Sequence, residues 1–172
     1  MLTELHKVLE AAATTEKPFL DPDGVVSIEL GLRNVTFGYL YLLILLTRAC
    51  SETRAQSLAA SRRMLCLLDD LVSDSEEVFN GIIWHLVCCP FTPFLHLFQA
   101  ILSTGRTALG ANEQALEAMR HLPRFLGKMG VRNRLAKKLE GVATAIVQHA
   151  ESILHRPGGE FSFMPVRRHQ CD

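Results

Sequence analysis

Most of the usual signatures of chemistry are missing from this chain of 172 residues. It has no net charge, with 18 basic and 18 acidic side chains. A neutral chain has no global attraction to nucleic acid or to an anionic membrane. Aromatic residues are 7% of the total, with a single tryptophan, Trp84. There is no Walker loop, no G-x-S-x-G elbow, no H-E-x-x-H and no G-x-G-x-x-G, so nucleotide-binding, hydrolase and zinc-protease templates do not apply. The five cysteines, Cys50, Cys66, Cys88, Cys89 and Cys171, include no C-x-x-C pair. Cys66, Cys88 and Cys89 lie in apolar surroundings and read as small buried hydrophobes in a reducing compartment rather than as zinc ligands. His85, His96, His121, His149 and His155 show no i, i+4 pairing, and no metal and no cofactor is expected. The longest apolar run, Phe37 to Leu46, is ten residues, whereas a membrane span needs ~20. Met1 to Lys7 lacks the regions of a signal peptide. The expected location is intracellular, cytoplasmic or nuclear, with no membrane span and no direct contact with nucleic acid.

What is present is apolar residue at helical spacing. Hydrophobic residues are 48% and charged residues 21%, a balance suited to one folded domain with a real core. Leu2 to Ala13 reads as a short amphipathic helix. Pro18, Pro22 and Gly24 break the next stretch, and Val25 to Ile28 is isolated and extended at most. Leu30 to Ala49 is a strong helix, with Leu32, Val35, Tyr39, Leu42, Leu43 and Leu46 on one stripe. A helix this apolar is expected to be buried on most faces. Ser51 or Thr53 caps a helix from Arg54 to Val72, and Val78 to Cys89 is another. Asn112 caps a helix through Leu126, which Pro123 should kink. Val131 to Leu154 is the longest helical signal, with Leu135, Leu139, Val142, Ala143, Ile146, Val147, Ala150 and Leu154 at helical spacing. The fold class is therefore all-α: a single compact bundle of about seven mostly antiparallel helices over residues 1–156, with a tail at 157–172.

The segment from Trp84 to Phe98 carries most of the functional information. Pro90 and Pro93 sit three apart among aromatic and aliphatic residues. Proline ends one helix near Cys89 and starts another, with Thr92 as cap and Pro93 at the first position. This joint is expected to gather Trp84, His85, Cys88, His96 and Gln99 towards one apolar interior. Ordinary core packing accounts for such residues. An apolar pocket with few polar contacts accounts for them equally. In a pocket, His85 is the first choice of proton donor or base and His96 the second. Tyr39, Tyr41, Arg48 and Phe94 are the further candidates for its wall. The basic run from Arg120 to Lys138 reads as a solvated face, with Glu113, Glu117 and Glu140 available to pair with it.

The order of elements resembles the C-terminal half of the regulatory domain of fungal zinc-cluster transcription factors. The resemblance covers roughly residues 30 to 150. It rests on Tyr39-Leu40-Tyr41-Leu42-Leu43-Ile44-Leu45-Leu46-Thr47-Arg48, on Ala59 to Leu68, and on the Pro90-Phe91-Thr92-Pro93-Phe94 step before Leu97-Phe98. It is a pattern of helices, without catalytic residues. The six-cysteine zinc cluster of those factors has no counterpart here, so the resemblance implies a helical scaffold that senses small molecules or partners rather than DNA. One expectation is a protein that binds an apolar secondary metabolite, with a cofactor-free cyclase or isomerase of the Diels–Alder type as its enzymatic form. The alternative is a non-DNA-binding transcriptional co-regulator that binds a partner protein. An enclosed cavity marks the first, and an exposed apolar helix face the second.

Overall fold

A computed structural model of the chain describes residues 2–16, 22–71, 89–131 and 133–155. The described residues form six helices longer than one turn, a single-turn helix and a short 3-10 segment, with no strand. They are α1 (Leu2–Glu16), α2 (Pro22–Thr47), α3 (Arg54–Cys66), the single turn α4 (Leu68–Leu71), α5 (Phe91–Thr104), α6 (Leu109–Gly130) and α7 (Arg134–His155). The 3-10 segment Gly105–Ala108 joins α5 to α6. The expected helix over Val78 to Cys89 and the tail at 157–172 lie outside the described residues.

The α6–α7 hairpin has the most extensive interface; α3 packs against α2, α5 and α6, and α1 rests on α2. Phe94, Phe125, Ile44, Met64, Leu65 and Met119 are fully buried at the centre. Removing each from water stabilises the fold by about 1.5–3 kcal/mol.

Several boundaries and faces differ from the sequence expectation. α2 starts at Pro22, so Val25 to Ile28 is helical rather than extended. Proline suits a first helical position, where its missing N–H has no helical partner to lose. The buried face of α2 is Thr36, Phe37, Leu40 and Ile44, not the expected stripe. Val35 and Leu42 are about half exposed, and Leu46 is 73% exposed. The window Ile28–Thr47 is long and apolar enough to cross a membrane by composition, yet only 22% of it is buried. α1 turns His6 inward; its Nε2 lies 3.1 Å from the Thr36 hydroxyl, while Val8 and Leu9 face solvent.

α6 runs through Pro123 as one helix. Asn112 lies inside that helix and is not its cap. Its buried amide donates to the Thr104 hydroxyl and to the Gly105 carbonyl, fixing the α5–α6 turn. Gly105 has φ of 49°, a left-handed conformation that suits glycine at a helix end. Asn133 caps α7 by accepting from the backbone N–H groups of Leu135 and Ala136. The buried stripe of α7 is Ala136, Ala143, Val147, Ala150 and Leu154, whereas Leu135 and Val142 are exposed. Alanines on this stripe let α6 and α7 approach closely.

Candidate functional site

The turn between α2 and α3 and the outer face of α5 form the candidate site. Thr53 does not cap α3; its hydroxyl donates to the carbonyls of Thr47 and Cys50, at 2.8 and 3.3 Å. Those bonds fold Arg48 to Thr53 into a compact corner. Opposite stands α5, which starts at Phe91 after Pro90, with no side-chain cap from Thr92. Thr92, Leu95, His96, Gln99 and Ser103 recur at three- and four-residue steps and share one face of that helix.

Between corner and helix lies an open groove of about 450 Å³, lined by Arg48, Ala49, Phe91, Thr92, Leu95, His96 and Gln99. It continues into a polar extension of about 260 Å³ that adds Cys50, Ser51, Arg54 and Ser103. The Phe91 end is apolar, and 47% of Leu95 is exposed. The far end carries two guanidinium groups.

His96 joins the two ends. Its Nε2 lies 3.0 Å from the hydroxyl of the fully buried Ser57 on α3. Partial burial, then the nearby charges of Arg54 and Arg48, hold its imidazole below the ordinary value of 6.5. Both effects favour the neutral ring over the imidazolium. Cys50 is exposed, and its thiol is also held below the usual range. The backbone N–H groups of Glu52 and Thr53 and the Thr53 hydroxyl stabilise the thiolate.

Of the residues singled out by sequence, the structure brings together Arg48, His96 and Gln99. They meet on an open surface rather than in the apolar interior. Phe94 is fully buried and packs edge-on against Phe91, with ring centroids 6.0 Å apart, so it belongs to the core. Tyr39 faces α1: its ring lies 4.4 Å from that of His6, and its hydroxyl bonds Thr3. Tyr41 packs against the core and is not among the groove's walls. Trp84, His85 and Cys88 lie outside the described residues. Cys66 was expected to be buried and is exposed, while Cys89 is buried.

Two features were missed in the sequence. Arg54 enters the groove only because the Thr53 bonds fold the corner, a contact that no spacing reveals. His121 Nδ1 lies 2.5 Å from Asp69 Oδ2 and ties α6 to α4. Part of the basic run is paired: Arg120 with Glu117 and Glu151, Arg124 with Glu117, and Lys137 with Glu140. Glu117 and Glu140 were expected partners; Glu151, one helix away, was not.

No family model matches this chain. No solved structure matches it either. A transcriptional regulator of Claviceps purpurea (strain 20.1) is 33% identical over 155 residues, which is 88% of this chain and 25% of that protein. The chain thus spans about a quarter of the length of the relative it matches. Over most of its length, then, this all-helical chain is similar to one part of a fungal transcriptional regulator.

Proposed function

We propose that this chain is a non-DNA-binding transcriptional co-regulator, a helical module that acts through a partner protein. The observation that carries the reading is its similarity to a fungal transcriptional regulator along 88% of its length. The finer relationship, to the C-terminal half of the zinc-cluster regulatory domain, is part of the same proposal. The Tyr39 to Arg48 helix and the Pro90-x-x-Pro93 step support it. An intracellular location, cytoplasmic or nuclear, goes with that role.

Two structural features support a protein partner. The outer face of α2 presents Val35, Leu42 and Leu46 at seven- and four-residue steps, one apolar stripe on a helix that is mostly unburied. Monomeric proteins rarely leave a contiguous apolar stripe uncovered, and such a face is the usual seat of a partner helix. Three basic residues of α6 and α7, Arg120, Arg124 and Lys137, are engaged by Glu117, Glu140 and Glu151 rather than left for a phosphate backbone. A ring-forming catalyst calls for a dry, enclosed cavity, whereas the groove beside α5 is open. Binding is therefore preferred to turnover.

The test is to tether the whole chain to a promoter through an unrelated DNA-binding domain. Reporter output should change with the wild-type chain and return to baseline with Leu42→Lys/Leu46→Lys. These side chains are already exposed, so stability should move by no more than about 0.5 kcal/mol. A tethered, folded chain that leaves the reporter unchanged would overturn the proposal.

A further inference from the structure

The groove between the α2–α3 corner and α5 holds more positive charge than stability explains. Arg48 follows the C-terminus of α2, where a cation is favourable. Arg54 is the first residue of α3, a position where a cation opposes the helix dipole, and no acidic residue lies in that first turn. Such a placement is unfavourable unless an anion compensates. Among the described residues, neither arginine forms an ion pair, even with Glu52 close in sequence. Among the described residues, the other walls of the polar extension are Ala49, Cys50, Ser51, Gln99, Ala100 and Ser103, with His96, whose imidazole is held below its ordinary value. Among the described residues, no carboxylate lines either part of the groove. The side-chain amide of Gln99 and the Nδ1 of His96 make no hydrogen bond to the protein among the described residues. The adjoining half is apolar, with Phe91, Ala49 and the exposed Leu95.

We propose that this groove binds a small amphiphilic anion, a carboxylate or phosphate group joined to an apolar body. Arg48 and Arg54 hold the head, with Gln99 and His96 as further hydrogen-bonding groups, and the body lies along Phe91 and Leu95. Two guanidinium forks can grip two oxygens of either head group, a geometry that lysine would not provide. The volume, about 450 Å³ with the polar extension beyond it, is that of a small-metabolite site rather than of a macromolecular interface. The site is separate from the α2 stripe assigned to a partner protein, so either assignment can fail alone.

The test uses the full chain and four probes: 4-phenylbutyrate, phenyl phosphate, 4-phenylbutanol and inorganic phosphate. Binding is followed by the His96 ring resonances and by the rate of Cys50 alkylation, read by mass spectrometry. At least one aromatic anion should bind at least tenfold more tightly than both the alcohol and inorganic phosphate, and should slow alkylation of Cys50. The stronger of the two anions identifies the preferred head group. Arg48→Gln/Arg54→Gln should weaken that anion at least tenfold and leave the alcohol unchanged. Leu95→Ser should weaken the anion with less effect on inorganic phosphate. Equal binding of alcohol and anion, an unaffected double-arginine variant, or no binding of either aromatic anion at millimolar concentration would each overturn the proposal. Both arginines are exposed, so loss of folding is not expected to obscure the result.

Discussion

Ser57 and His96 show how much one hydrogen bond settles at the residue scale. Ser57 is fully buried on α3, and the imidazole of His96 anchors α5 to it. Ser57→Ala should cost about 1 kcal/mol in urea unfolding, because it leaves a half-buried ring nitrogen without a partner. The same imidazole carries a pH dependence. Its folded value is depressed below 6.5, so the unfolded state holds more protons as pH falls through that value. Stability contributed by the neutral ring is therefore present above about pH 6.5 and declines below it. His96→Gln should flatten this part of the urea-midpoint against pH profile; an unchanged slope would assign the slope to other groups. Arg48, His96 and Gln99 were legible in the sequence because the Pro90–Pro93 step fixes where α5 starts and helical spacing fixes its faces. Tyr39 and Phe94 were misplaced because hydropathy does not say which apolar residue faces a groove and which faces the core. Arg54 was overlooked because its position depends on two hydroxyl-to-carbonyl bonds from Thr53.

Elements were easier to locate than to orient. All the long described helices are visible as apolar periodicity, yet α2 is rotated from the expected stripe. When nearly every face is apolar, the buried one is chosen by neighbours: here His6 of α1 meets Thr36. On α7 the expected stripe includes the buried Ala143, Val147, Ala150 and Leu154, but it also takes in Leu135 and Val142, which are exposed, because hydropathy ranks them above alanines such as the buried Ala136. Glycine substitutions test this close approach. A Cβ at Gly130 would lie 3.3 Å from the Lys137 Cα, a backbone atom with little freedom to move. A Cβ at Gly141, on the exposed side of α7, would meet nothing within 4 Å. Gly141→Ala should therefore stabilise by about 0.5–1 kcal/mol. Gly130→Ala should lose that gain and destabilise instead. A matching rise in melting temperature for both would mean that α6 and α7 are not tightly apposed there. Removing the Asn133 cap with Asn133→Ala should cost about 1 kcal/mol.

For the whole molecule, stability depends on one continuous core that, among the described residues, draws on α2, α3, α5, α6 and α7. Phe125, fully buried on α6, lies within it. Phe125→Ala should cost about 3–5 kcal/mol, a large part of the 5–15 kcal/mol expected for a domain of this size. The all-α architecture was legible from composition and periodicity together. The proposed regulatory role was legible only as a likeness of element order, because no side-chain chemistry marks it. The α6–α7 hairpin carries one more implication. Its two helices are adjacent in sequence, are joined by three residues between Gly130 and Arg134, and share the broadest interface in the fold. Ordering so short a connection costs little chain entropy. This pair should consequently assemble early, with the remaining helices docking onto a ready platform. Its interior amides should then be the slowest in the protein to exchange their hydrogens with deuterated solvent.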